Sequence, residues 1–349
     1  MTAFLSALLL QSGYNAALVS IGAALLGVAA GAAGTFLVLR KRALVADAMA
    51  HATLPGVALA FLVMVALGGE GRALSGLMLG SALTALLGLL AVDRLATRTR
   101  LPEDAAIGAV LSVFFGAGIV LLTVIQTLSA GQQAGLEGFL LGSTAGMLRA
   151  DALTVAAGGL IAGAVTFALR RPMTLVAFDE GYAVASGLNV PRLDRLAMLL
   201  VLFVTVAGLR IVGLVLIVAL LIIPAVAARF WTDRVSHLLL IAAAIGGLSG
   251  WIGTALSAAA PGLPAGPLVV LVAVAIFALS LLLAPKRGAL ARAIALRRAA
   301  PRLTPEDAAL WVALRRAEPA SPLIPQDDGR TPLSALLPPD RLAALRGTA

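Results

Sequence analysis

The sequence predicts an all-α protein that crosses a membrane several times. Of its 349 residues, 60% are hydrophobic and only 12% are charged, and the mean hydropathy is +1.02. Several apolar runs reach the roughly 20 residues that a helix needs to cross a hydrocarbon core of about 30 Å. The 36 glycines and the many alanines favour close packing between such helices. This composition excludes an ordinary soluble domain.

Nine apolar segments are candidate spans, and they give eight or nine crossings. Residues 195–228 decide between the two numbers, because these 34 residues make only about 50 Å of helix. That length is too long for one crossing and too short for two full ones. A turn at residues 208–213 would let two short helices meet, as broken helices do where protein surrounds them. The predicted spans lie near residues 16–39, 43–67, 73–92, 104–128, 152–169, 195–208, 211–228, 237–259 and 264–284.

The arginines and lysines indicate how the chain is oriented. Before residue 286, 12 of the 15 basic residues lie at span ends that share one side of the membrane. Cytoplasmic loops carry the excess of basic residues, so the N-terminus is predicted outside and the C-terminus inside. The exceptions are Arg72, Arg149 and Arg210. The net charge of +9 therefore reflects membrane orientation, and we expect no nucleic-acid partner.

The composition divides the chain into two regions. Residues 1–285 form the predicted transmembrane domain, and residues 286–349 form a cytoplasmic, proline-rich tail with 11 basic and 6 acidic residues. Thr304 and Pro305 open one predicted tail helix that runs to about Ala317. Beyond Pro319, the density of proline predicts extended or disordered chain. The role of the tail stays open.

Two ionisable residues distinguish the second span. Asp47 is the only acidic residue and His51 the only histidine between Arg42 and Leu67. Residues four apart share one face of a helix, and ionisable groups inside a span usually face a bundle interior or a pathway. A carboxylate and an imidazole can ligate one divalent cation. The alternative is a structural hydrogen bond between helices. The absence of cysteine excludes thiolate ligands.

A second candidate element lies in the predicted cytoplasmic loop at residues 170–194. Asp179 is placed to cap a short helix from about Glu180 to Ser186, and Gly187 is placed to end it. A short capped helix on such a loop serves either as a docking element or as plain loop structure.

The chain resembles the metal-type ABC importer permeases, the zinc, manganese and iron family of bacteria. The resemblance covers roughly residues 14–290 and includes the run Ala46-Asp47-Ala-Met-Ala-His51-Ala-Thr-Leu-Pro55-Gly56. All of the matching stretches occur in order and at family-like spacing. They are residues 34–40 with 46–58, 178–188, 212–229, 264–267, 277–280 and 285–288.

The resemblance implies a permease subunit of an ATP-driven importer in the bacterial cytoplasmic (inner) membrane, and not an enzyme. The implied partners are a second permease protomer, cytoplasmic ATPase subunits, an extracytoplasmic metal-binding protein and membrane lipid. The second protomer is either an identical chain or a sister permease. No permanently bound cofactor is expected, since the metal is the transported ion.

The resemblance also implies roles for particular residues. Asp47 and His51 match the positions that line the metal pathway. Residues 179–188 match the coupling helix that seats on the ATPase, with coupling residues Asp179, Glu180, Tyr182, Gly187 and Leu188.

Two protomers related by a twofold axis would surround one cation with two Asp47 carboxylates and two His51 imidazoles. This set of oxygen and nitrogen ligands suits Zn²⁺ or Mn²⁺ without selecting sharply between them. A transit site must also release its ion, which a site without thiolate allows. The metal, with iron as a third candidate, stays open.

Other functions fit part of the sequence. A metal carrier driven by an ion gradient is the first alternative, and it would need no ATPase partner. The sequence has no G-x-x-x-x-G-K-[ST] loop, so ATP hydrolysis would reside on another chain. An intramembrane protease would need H-E-x-x-H or a serine with a base, and neither is present. A membrane-anchored regulator acting through its tail would not need Asp47 and His51.

Overall fold

The computed structural model describes residues 2–11, 13–69, 71, 73–127, 149–209, 212–260, 263–285 and 287–299, with positions 310, 312, 314, 340 and 343. All regular structure in these ranges is helical, so the predicted all-α class is confirmed. The helices are α1 (Thr2–Leu8), α2 (Tyr14–Leu39), α3 (Ala43–Ala66), α4 (Leu74–Arg98), α5 (Glu103–Thr127), α6 (Arg149–Ala168), α7 (Arg170–Phe178), α8 (Glu180–Ala185), α9 (Val190–Gly208), α10 (Leu214–Ala228), α11 (Val235–Ala259), α12 (Ala265–Leu283) and α13 (Ala289–Ala299).

Among the described helices, six are long and apolar enough to cross a membrane. These are α2, α3, α4, α5, α11 and α12. Helices α6 and α7 pass the same test as a pair, with a bend of 59° between them. Helix α10 is shorter, and α9 carries three charged residues near its start. The chain thus has the apolar helices of a multi-pass membrane protein. The number of crossings and the side of each terminus stay predictions.

The helices lie close to the predicted spans, with three corrections. The span predicted to begin at residue 195 begins at Val190, because the Asn189 cap and a proline in the first turn start the helix before the apolar run. The third span was predicted to end at residue 92, but α4 continues to Arg98, because Asp93 and Arg94 end the apolar run without ending the helix. Residues 170–178 were predicted as loop, and they form α7 instead. Pro172 is compatible with α7 because it lies in the first turn. The predicted outer segment at residues 128–150 lies almost wholly outside the described residues.

Residues 195–228 form two helices, as one of the two sequence interpretations predicted. Helix α9 ends at Gly208 and α10 begins at Leu214. Gly213 caps α10 with a φ of 88°, in the left-handed region that favours glycine. Residues 195–228 are therefore not one continuous straight helix.

Helix α2 lies at the centre of the unit formed by residues 1–281, against α6, α9, α10 and α11. A Cβ at Gly31 would overlap the carbonyl oxygen of Ala242, so α2 and α11 touch backbone to backbone. Helix α3 lies against α4 and α5, and Gly56 approaches the carbonyl oxygen of Gly80 equally closely. Small residues thus fix α3, the helix that carries Asp47 and His51.

Residues 282–349 form a second compact unit. Its helix α13 was not predicted. The predicted tail helix at residues 304–317 lies mostly outside the described residues, although positions 310, 312 and 314 are helical. Leu310 and Leu314 are buried while Val312 is exposed, a pattern that one face of a helix produces.

Candidate functional site

Asp47 and His51 form the one interruption in a buried stretch of α3. Every other residue from Val45 to Ala58 is buried, whereas the side chain of Asp47 is 39% exposed and that of His51 is 18% exposed. Asp47 Oδ1 lies 3.5 Å from His51 Nε2. The predicted sharing of one helix face is therefore confirmed. The open stripe on α3 consists of a carboxylate and an imidazole.

The environment of His51 leaves part of its hydrogen-bonding capacity unused. Its ring lies nearly perpendicular to the ring of Phe115 on α5, with the ring centroids 5.0 Å apart and the planes at 81°. His51 Nδ1 is buried and has no hydrogen-bond partner among the described residues. A buried polar atom without a partner is costly, and such atoms often mark functional positions. The imidazole of His51 is therefore a candidate functional group.

The structural alternative, a hydrogen bond from this pair to another helix, finds no support in the described residues. Within the described part of the chain, His51 is the one ion-pair partner of Asp47, and the Phe115 ring offers His51 no hydrogen-bond acceptor. The described residues also contain no cluster of three or more His, Cys, Asp or Glu side chains that could hold a metal. Within the described residues, Asp47 and His51 are thus a pair of candidate ligands, whereas a tetrahedral ion takes four.

The short helix predicted near residues 180–186 is present as α8. Asp179 Oδ1 accepts a hydrogen bond of 2.8 Å from the Tyr182 amide, which caps the start of the helix. Gly187 has a φ of 81°, and the Leu188 amide donates to the carbonyl oxygen of Ala183 at 3.0 Å. This pairing is the Schellman motif that glycine favours at a helix end. Its role in docking stays a prediction.

The two faces of α8 differ. Ala183 is buried in a cluster with Val176 and Val190, against which Leu188 also packs. Tyr182 is 61% exposed and Phe178, just before the helix, is 67% exposed. Exposed apolar side chains grouped outside the long apolar helices mark surfaces that contact a partner. The candidate docking surface therefore comprises Phe178, Tyr182 and Gly187, with Leu188 serving mainly the packing of α8 itself.

Sequence reasoning missed two features of these sites. It did not place Phe115 against His51, and it did not identify the ion pairs that join Arg40 and Arg42 to acids on other helices. Contacts between distant segments leave no periodic signal in a single sequence. The one available sign was the position of Arg40, Lys41 and Arg42 directly before the span that carries Asp47.

Together, the fold and the open carboxylate–imidazole pair define a multi-pass helical membrane protein with two ionisable side chains on one face of an apolar helix. The ABC 3 transport family matches residues 14–284, well over half of the chain. The chain therefore belongs to that family of ABC transporter permeases, and the resemblance identified from the sequence is confirmed.

Individual relatives support the same assignment. The chain is 42% identical over 298 residues to the manganese transport system membrane protein MntC of Bacillus subtilis, covering 85% of this chain and 67% of that protein. It is 37% identical over 281 residues to the zinc transport system membrane protein TroC of Treponema pallidum, covering 80% and 93%. The solved structure of PsaBC from Streptococcus pneumoniae in complex with Fab matches with a TM-score of 0.70 and 28% identity, covering 85% and 100%.

Proposed function

We propose that this chain is the membrane subunit of an ATP-driven importer of a divalent transition metal, zinc or manganese, with iron as a third candidate. Membership of the ABC 3 transport family supports the transport class. The two relatives above support the ion, because one is named for manganese and the other for zinc. The observation that carries the site is the open pair of Asp47 and His51 in an otherwise buried stretch.

We propose further that two protomers complete the metal site across a twofold axis. Asp47 and His51 from one α3 supply an oxygen and a nitrogen, and the second protomer supplies the same pair. If the second protomer is a sister permease, its matching residues would do so. Four ligands of this kind suit Zn²⁺ and Mn²⁺ and hold them without thiolate, so release remains possible.

The partners follow from the proposed transport class. Cytoplasmic ATPase subunits seat on residues 179–188 and supply the hydrolysis. An extracytoplasmic metal-binding protein delivers the ion to the opposite face, and the assembly lies in the bacterial cytoplasmic membrane. The exposed Tyr182 and Phe178 on the candidate docking surface support the ATPase contact.

The test compares metal uptake by matched variants in cells that depend on this importer. Asp47→Ala and His51→Ala should each abolish uptake of radioactive manganese or zinc at equal membrane levels. The controls are Asp93→Ala and His237→Ala, because both of these residues are exposed and lie on other helices. His237 is the chain's other histidine. Uptake by both site variants at the rate of the parent protein would place the metal path elsewhere.

A further inference from the structure

The turn between α2 and α3 holds two arginines in fixed positions. The Arg42 amide donates to the carbonyl oxygen of Leu37 at 2.9 Å, and the Lys41 amide donates to that of Val38 at 3.2 Å. Lys41 is left-handed, with a φ of 59°. These bonds form a Schellman motif in which a lysine occupies the position that glycine normally takes. The turn is thus a defined structure, and Arg40 and Arg42 flank it.

Arg40 connects α2 to the elements around the docking helix. Its Nη2 lies 2.6 Å from Asp194 Oδ2 on α9, and both side chains are only 19% exposed. Its Nη1 donates to the carbonyl oxygen of Val176 at 3.0 Å and lies 3.3 Å from Glu180 Oε2. Val176 is in the last turn of α7, where carbonyl oxygens lack helical partners and attract cations. Glu180 is the first residue of α8.

Arg42 extends the same network to the helices of the candidate metal site. Its Nη1 lies 3.4 Å from Asp194 Oδ2, so a single carboxylate is shared between the two arginines. Its Nε lies 3.1 Å from Oε1 of Glu103, the first residue of α5. Arg42 is the N-cap of α3 and Phe115 on α5 touches His51. The network therefore reaches both helices that surround His51.

We propose that Arg40, together with Asp194 and Arg42, couples the docking helix to the metal site. This inference rests on the function proposed above. The coupling path, called the relay below, runs from Glu180 through Arg40 and Asp194 to Arg42. When the ATPase moves α8, the shared carboxylate transmits the displacement to the starts of α3 and α5. Arg40 is thus a positioning residue, remote from the metal.

The burial of the pair explains why this contact matters more than a surface ion pair. Exposed pairs contribute little because water competes for both charges. Arg40 and Asp194 are mostly covered, so loss of one partner leaves a poorly solvated charge on the other. The Arg40 guanidinium also contacts three elements at once, α7, α8 and α9, which a lysine ammonium cannot reproduce. An ion-pair network that is either formed or broken is an element through which two sites can be coupled.

The test uses the assembled permease with its ATPase in proteoliposomes, and it measures metal transported per ATP hydrolysed. Arg40→Gln and Asp194→Asn should each lower this ratio about tenfold. Arg40→Lys should give a ratio between that of these variants and that of the parent. The double variant should lower it no further, because either change alone already interrupts the relay at the contact between Arg40 and Asp194. Metal affinity and the ATPase rate should stay within about twofold of the parent. The control is Arg171→Gln, on the neighbouring α7 and exposed.

The outcomes separate the relay from the function on which it rests. A parent assembly that transports no metal would overturn the proposed function. If the parent transports metal and Arg40→Gln transports as much metal per ATP as the parent does, the relay is overturned but the proposed function is not. Additive losses in the double variant, or reduced metal affinity or assembly in step with the ratio, would show a purely structural role. If Arg40→Gln does not assemble, Asp194→Asn tests the relay instead, because this variant leaves the Arg40 bond to Val176 intact.

Discussion

Replacement of Tyr182 by alanine tests the docking surface most cleanly. Tyr182 is 61% exposed, and its amide, which the cap of α8 requires, is retained in alanine. An aromatic side chain buries about 200 Å² when fully covered, so docking would remove about 120 Å² of Tyr182 from water. At about 25 cal/mol per Å², this area contributes about 3 kcal/mol to association. We expect ATPase binding to weaken about 100-fold.

The assay is titration of the purified ATPase onto the detergent-solubilised permease. Thermal unfolding of the permease alone should change little, because Tyr182 is mostly exposed in the free chain. The control is Trp231→Ala, since Trp231 is a 43% exposed aromatic residue in another turn of the chain. If Tyr182→Ala binds the ATPase as tightly as the parent does, α8 is not the docking element.

Three further predictions concern the end of α8, the tail and the packing of α2. Gly187→Asn should keep α8 folded, because asparagine tolerates the left-handed region and a Cβ there meets no atom within 4 Å, whereas Gly187→Val should cost about 1–2 kcal/mol in backbone strain. Both variants should impair ATPase-coupled uptake if the ATPase covers this position. Normal uptake by both variants would show that the ATPase does not cover it. Truncation after residue 318 should leave uptake intact, and abolished uptake at normal membrane levels would contradict a dispensable tail. Gly31→Val should destabilise the assembled permease by about 3 kcal/mol or more, because its side chain would overlap the carbonyl of Ala242. The control is Thr123→Ala, at an exposed position on α5. A Gly31→Val melting temperature equal to that of the control would refute the close contact.

Local signals allowed most of the helices to be predicted. Apolar length located the spans, and the cap residues Asp179 and Gly187 located α8 within one residue at its end. The same signals misplaced the end of α4, because hydropathy locates the end of the apolar run and not the end of the helix. Helix α7 was missed because it begins with charged residues, although Pro172 in its first turn was a usable sign.

The candidate site could be predicted only in part. The spacing of Asp47 and His51 predicted that the two side chains share a face, but the burial of every residue around them appears only in the folded chain. The contact of His51 with Phe115 and the sharing of Asp194 by Arg40 and Arg42 join distant segments. Such contacts are fixed by helix packing, which depends on the whole bundle and not on any local pattern.

The count of metal ions bound to the purified two-protomer permease tests the central claim most directly. Equilibrium dialysis with manganese or zinc should give one bound ion for each pair of protomers, because each chain supplies only half of the ligands. Asp47→Ala and His51→Ala should each remove that ion, while His237→Ala should retain it. One ion bound to every protomer, or binding that survives both site substitutions, would contradict a shared Asp47–His51 centre.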